Sequence, residues 1–171
     1  LTTGPLKWLC GGPGLAYLYV KKELIGALRP RITSWFATIR QFDFDLEGFE
    51  YRLDARRFEL GTPSLPTIHT ALGGQEIIDE VGIDVVATRN AELTERLVQG
   101  LDAAGFKLAL PTVENRSAIV MVHHEDPAGA VSHLAENDVI VDHRPGFVRV
   151  SPHFYNSSEE IDRCIQVLET Y

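Results

Sequence analysis

The sequence predicts an α/β chain whose second half is a compact α+β domain. Three observations carry this. Beyond residue 67, stretches with helical spacing of apolar residues alternate with short β-branched runs. Glycine, Asp-Pro and Ser-Ser-Glu-Glu signals punctuate those stretches where helices should start or stop. The first third lacks such a period and is rich in aromatic residues instead.

Taken in order, Gly11-Gly12-Pro13-Gly14 is a tight turn or loop. Residues 15–20, Leu-Ala-Tyr-Leu-Tyr-Val, read as a buried strand that reaches the surface at Lys21-Lys22-Glu23. Residues 24–60 show no sustained period, and Trp35, Phe36, Phe42, Phe44, Phe49, Tyr51 and Phe58 alternate with charges. A flexible linker does not carry so many large apolar groups, so this is an ordered excursion packed on another surface. Pro63-Ser64-Leu65-Pro66 precedes a helix over residues 67–81, with Ile68, Ala71, Leu72, Ile77, Ile78 and Val81 on one stripe. Gly73-Gly74 within it implies close helix packing. Asp84 is the expected N-cap of the next helix. Val85, Val86, Leu93, Leu97, Val98 and Leu101 form its stripe, and Gly105 stops it. A strand over 118–122, a helix from Asp126-Pro127 to about 136, and strands over 139–141 and 147–150 around a Gly146 turn follow. Ser157-Ser158-Glu159-Glu160 caps a last helix that buries Ile161, Cys164, Ile165 and Leu168.

A length of 171 residues suits one domain or two small ones, and 44% hydrophobic content excludes a collagen, a coiled coil or a disordered chain. No apolar run reaches the roughly 18 residues of a membrane helix. Lys+Arg is 16 against Asp+Glu 24, a net charge of −8, which argues against a nucleic-acid partner. Cys10 and Cys164 make neither a disulfide framework nor a CxxC metal pair, and no secretory signal opens the chain, so a reducing cytoplasm is expected. Leu1-Thr2-Thr3-Gly4 reads like the middle of a protein, so a fragment is expected.

Four positions could carry chemistry. Lys7 sits between apolar neighbours in Gly4-Pro5-Leu6-Lys7-Trp8-Leu9-Cys10. A lysine held among apolar groups offers a neutral, nucleophilic amine; a snorkelling lysine at a strand end is the commoner case. Arg149 lies between two valines on an alternating strand, where it either faces solvent or takes a carboxylate bidentately. Gly61-Thr62-Pro63 before a helix could offer a hydroxyl and N–H groups to a phosphate, or be an ordinary helix entry. His123-His124-Glu125-Asp126 looks metal-like, but neighbours on a strand face opposite ways, so it reads as a strand end and no metal site is expected. Asp142-His143-Arg144-Pro145-Gly146 reads as a charged, solvated turn.

The ordered set is more specific than any one piece. Lys-Trp-Leu-Cys-Gly-Gly-Pro-Gly followed by Leu-Ala-Tyr-Leu-Tyr-Val resembles the pyridoxal-phosphate lysine segment of the class V aminotransferase family. Ser34-Trp35-Phe36-Ala37 is similar to the tryptophan segment of its kynureninase-like members. Phe58-Glu59-Leu60-Gly61-Thr62-Pro63-Ser64 resembles the family's Phe-Glu-x-Gly-Thr-Pro stretch, and residues 148–156 its C-terminal Arg-x-Ser/Ala-Pro…Tyr-Asn signature. By that resemblance the chain is the C-terminal part of a fold-type I enzyme. Residues 1–82 would be the end of the large cofactor domain, and residues 83–171 the small α+β domain. Lys7 would be the Schiff-base lysine, Trp35 and Thr62 would reach the cofactor phosphate across a homodimer interface, and Arg149 would clamp the carboxylate of an amino-acid substrate. The family's desulfurases place a catalytic cysteine shortly before that arginine; residues 123–149 hold none. This, Trp35 and the Asp142-x-Arg144-Pro145 segment favour kynureninase-like or epimerase-like relatives, with transamination, hydrolysis and epimerisation all open. The other readings are a catalytically inactive scaffold or dimerising partner of the same fold, and an unrelated α+β binding domain. A scaffold needs neither Lys7 nor Arg149.

Overall fold

Two units divide the chain, Leu1–Glu80 and Val81–Tyr171. The computed structural model describes residues 1–45 and 47–171, with Val113 described by its backbone alone.

In the first unit, β1 (Thr2–Thr3) pairs antiparallel with β2 (Tyr17–Leu18), Thr2 opposite Leu18 and Thr3 opposite Tyr17. The strand expected over residues 15–20 is therefore shorter, and it is not buried: Tyr17, Leu18 and Tyr19 are all exposed. A two-stranded ribbon has no second layer of its own to bury a face against. A short helix, α1 (Lys22–Ile25), replaces the expected charged strand end.

The aromatic excursion contains two 3-10 turns, Trp35–Ala37 and Ala55–Phe58, and one bridge between Thr38 and Tyr51. Arginine side chains stand in for a sheet ladder. Arg52 donates from Nε to the Phe36 carbonyl and from Nη2 to Gln41 Oε1, both at 3.0 Å. The buried Arg57 donates from Nη1 to the Ile25 carbonyl at 2.6 Å and lies 4.8 Å from the centre of the Tyr51 ring. Buried carbonyls need donors, and a guanidinium supplies several in a fixed fork.

Helix α2 (Leu65–Val81) starts two residues before the expected point, with the Ser64 carbonyl accepting from the Ile68 N–H. It buries Ala71, Gly74 and Ile78, whereas Leu72 and Ile77 are half exposed. A Cβ on Gly74 would stand 2.5 Å from the Cys10 carbonyl group and the Leu9 oxygen. The glycine lets the loop after Lys7 lie directly on the helix, while a Cβ on Gly73 would meet nothing within 4 Å.

In the second unit, α3 (Ile83–Ala103) is capped by Gly82, not by Asp84. Asp84 lies inside the first turn, where its carboxylate faces the positive end of the helix dipole. Val85, placed on the apolar stripe by spacing, is exposed; Leu93, Leu97 and Leu101 are buried. Gly105, at φ +84°, ends the helix: Phe106 N–H donates to the Leu101 carbonyl and Gly105 N–H to that of Asp102. The chain then forms β3 (Leu108–Ala109), β4 (Val120–His123), α4 (Pro127–Glu136), β5 (Asp142–Arg144), β6 (Phe147–Val150) and α5 (Ser158–Glu169). The strands make an antiparallel sheet in the order β3-β4-β6-β5. Val120, Val122, Val148 and Val150 point from it into one core with α3, α4 and α5.

Two strands depart from expectation. No strand forms over residues 139–141; β5 begins at Asp142. Asp138 takes φ +63°, and the Val139 N–H closes the end of α4 on the Leu134 carbonyl at 2.9 Å, so it is not free for a ladder. The two-residue β3 is too short to leave a period in the sequence. Among the described residues no helix is long and apolar enough to cross a membrane.

Candidate functional site

Alternation along β6 sorts the sheet's two faces. Val148 and Val150 are buried under the helices, which puts Phe147 and Arg149 on the opposite face. Register completes that face. Arg149 stands opposite Met121 on one side and Asp142 on the other. Phe147 stands opposite His123, whose ring centre is 4.3 Å away, and opposite Arg144.

Arg149 is half-buried, and among the described residues its guanidinium has no hydrogen-bond or ion-pair partner. Its register neighbour Asp142 is engaged elsewhere. Asp142 Oδ1 accepts from the His143 N–H at 2.8 Å, and Oδ2 accepts from Arg144 Nη1 at 2.5 Å. The Arg144 bond first, then the His143 N–H, hold the Asp142 carboxyl below the usual carboxylate range. The charged turn read from sequence is thus the strand beside Arg149. A hairpin counted outward from Pro145-Gly146 puts 142 opposite 149, but placing the strand at 139–141 hid that pairing.

The other three candidates lie in the first unit. Lys7 is in a bend whose carbonyl accepts from the Cys10 N–H at 3.0 Å, while the Gly11 N–H reaches the Pro5 carbonyl at 2.7 Å. Lys7 is exposed, as are Leu6 and Trp8, so the apolar surroundings expected for its amine are not supplied by its own segment. Trp35 is exposed and makes edge contacts with Phe36 and Phe42, with ring centres 4.8 and 5.9 Å apart. Thr62 is exposed, just ahead of α2. No hydrogen bond, ion pair or ring contact joins Lys7, Trp35 and Thr62 among the described residues.

Neither cysteine resembles an activated nucleophile. Cys164 is packed in the core, and burial pushes its thiol up to about 11. Cys10 is half-buried at φ +54°. His124 Nδ1 accepts from the Asp126 N–H, and among the described residues no three His, Cys, Asp or Glu side chains converge as metal ligands would.

Residues 86–168 match the family described as Kynureninase C-terminal domain. The chain is 31% identical over 165 residues to an "Uncharacterized aminotransferase YcbU" of Bacillus subtilis, covering 96% of this chain and 43% of that protein. It is 32% identical over 172 residues to a kynureninase of Geobacillus thermodenitrificans, covering 95% and 40%. The chain thus spans about two-fifths of the length of the curated relatives it matches. Among solved structures, an apo cysteine desulfurase of Thermococcus onnurineus superposes with a TM-score of 0.80 at 23% identity, over 94% of this chain and 43% of that one. The cystine C-S lyase C-DES superposes with a TM-score of 0.84 at 20% identity, over 96% and 44%. At such identities the likeness speaks for the fold, the C-terminal part of a fold-type I enzyme.

Proposed function

The chain belongs to the kynureninase-like branch of the class V aminotransferase family, as a C-terminal portion, and on that premise we propose that it completes a pyridoxal-phosphate enzyme acting on an amino acid. Residues 1–82 are then the end of the cofactor domain and residues 83–171 the small domain. The reaction is of the transaminase or kynureninase type. The enzyme is a cytoplasmic homodimer, and its activity belongs to the whole protein.

The observation that carries this reading is Arg149: a half-buried guanidinium with no counter-ion among the described residues, on the sheet face opposite α3, α4 and α5. A cation in that position invites an anion, and its planar fork matches a carboxylate. The donor set of the first unit fits the cofactor. Lys7 offers an amine without a partner among the described residues for an aldehyde, and Trp35 and Thr62 offer an accessible indole and hydroxyl for phosphate oxygens. Bound there, pyridoxal phosphate supplies an electron-withdrawing ring that stabilises negative charge at the substrate α-carbon. Lys7 tethers the cofactor and moves the proton at that carbon, while Arg149 fixes the carboxylate and so the orientation of the substrate. Retention of both cations favours this over an inactive scaffold.

The experiment uses the full-length protein. Borohydride should bleach the visible absorption band and fix the cofactor to the peptide that contains Lys7. Lys7→Ala should abolish both the band and the turnover of L-kynurenine or an amino-acid donor. An unchanged band in that variant would sink the assignment.

A further inference from the structure

We propose that Arg144 is a positioning residue, which holds the Asp142 carboxylate away from Arg149 and so keeps Arg149 open for an anionic ligand. The inference rests on the reading of Arg149 as a carboxylate clamp and adds the device that keeps the clamp free.

Three observations meet here. First, Asp142 and Arg149 are register partners on adjacent antiparallel strands, which puts their side chains on one face. Cβ atoms of such partners are about 4.5–5.5 Å apart, well within the reach of an aspartate and an arginine. An opposite-charge pair is the expected outcome. Second, that pair does not form: Arg149 has no partner among the described residues. Third, the Asp142 carboxylate is tied on both oxygens, by the His143 N–H and by Arg144 Nη1. The same Arg144 nitrogen also donates to the His143 carbonyl at 2.6 Å, so the guanidinium is held to the strand backbone as well as to the carboxylate. Two residues along the strand from Asp142, Arg144 lies on the same face and draws the carboxylate along β5 rather than across to β6.

Take Arg144 away and Arg149, the register partner of Asp142 on β6, is a cation within side-chain reach of its carboxylate. The internal carboxylate then competes with the carboxylate of the ligand. The competitor is tethered, so it acts at high effective concentration even though an exposed ion pair is weak by itself.

The test uses the full-length, cofactor-loaded protein and L-alanine as the probe, the half-saturation read from the change in the visible spectrum. Arg144→Ala should raise the half-saturation concentration roughly five- to tenfold, with the spectrum of the unliganded protein unchanged. Arg144→Gln, which keeps a hydrogen bond to the His143 carbonyl but no charge, should do the same and serves if the alanine variant folds poorly. Adding Asp142→Asn to either should restore tight binding, and Arg144→Lys should be intermediate. Rescue by removing the competing charge is a result that a merely structural role for Arg144 would not produce. Weakening that Asp142→Asn fails to rescue, or no weakening at all, overturns the positioning role while leaving the clamp intact. Arg149→Ala is the separate control: if it leaves binding of L-alanine unaltered, the clamp and the positioning role fall together.

Discussion

The Tyr171 hydroxyl donates to Asp126 Oδ2 at 2.6 Å, and this joins the residue beyond α5 to the N-cap of α4. The other carboxylate oxygen of Asp126 accepts the Gly129 N–H at 3.0 Å. The ring of Tyr171 lies 5.6 Å from that of His124 and 5.4 Å from that of His133. The hydrogen bond from Tyr171, then that from Gly129, lower the Asp126 carboxyl, and the same contact with Asp126 raises the Tyr171 hydroxyl.

Tyr171→Phe should therefore lower the melting temperature near neutral pH, by an amount that depends on pH in both directions. A carboxylate lowered on folding stabilises fully above its unfolded pKa of about 3.9, and that gain fades as pH falls through the lower folded value. A phenol raised on folding stabilises fully below its unfolded pKa of about 10 and loses that gain as pH rises through the higher folded value. The difference between the two proteins should be largest between these limits and shrink at both ends. A constant offset from acid to alkali, measured by calorimetry, would contradict the bond.

Neighbouring glycines on α2 should respond with opposite signs. Gly74→Ala drives a methyl into the backbone of Leu9 and Cys10 and should cost about 1–3 kcal/mol, because backbone on both sides must shift. The displaced loop carries Lys7, so cofactor content should fall as well. Gly73→Ala meets no atom within 4 Å and should stabilise by roughly 0.5–1 kcal/mol, the helix propensity difference. Urea unfolding of the two variants side by side decides this.

Trp35→Ala should loosen the cofactor and weaken the dimer together. Trp35, Phe42, Phe44 and Phe49 all lie exposed on the first unit, and aromatic side chains of this kind are enriched in protein interfaces. Sedimentation at several concentrations, with the cofactor released on gel filtration measured in parallel, gives both readouts. A full-length protein that is monomeric, and keeps its cofactor equally well without Trp35, rules out a site shared between subunits.

Much of the second unit was legible because its signals are local. Ser157 and Glu160 form a reciprocal cap, with Glu160 N–H to Ser157 Oγ at 3.2 Å and Ser157 N–H to Glu160 Oε2 at 2.8 Å, and both residues stand in the sequence where such a cap is read. Asp126 before Pro127 and Gly105 after α3 are signals of the same kind. The strand at 139–141 misled because β-branched residues favour a strand wherever a partner is free, and here the helix end had already used the Val139 N–H. Residues 15–20 misled in another way: an apolar run suggests burial, but β2 pairs with β1 in a two-stranded ribbon that leaves Tyr17, Leu18 and Tyr19 exposed.

For the site, the sequence by itself singled out the candidates and the family, because Lys7, Trp35, Thr62 and Arg149 sit in ordered motifs that need no coordinates to recognise. It also determined which face of β6 carries Arg149, since alternation between two valines leaves the arginine one choice. Only the tertiary structure decided what stands beside that arginine. Pairing is a relation between strands, and a shift of one residue would have put Asp142 on the other face. The register that places Asp142 opposite Arg149, and the bond to Arg144 that holds its carboxylate aside, follow from where α4 ends and where the Gly146 turn closes. Counting from Pro145-Gly146 offers that register, but where β5 begins is fixed by the α4 end at Val139, which lies outside the hairpin.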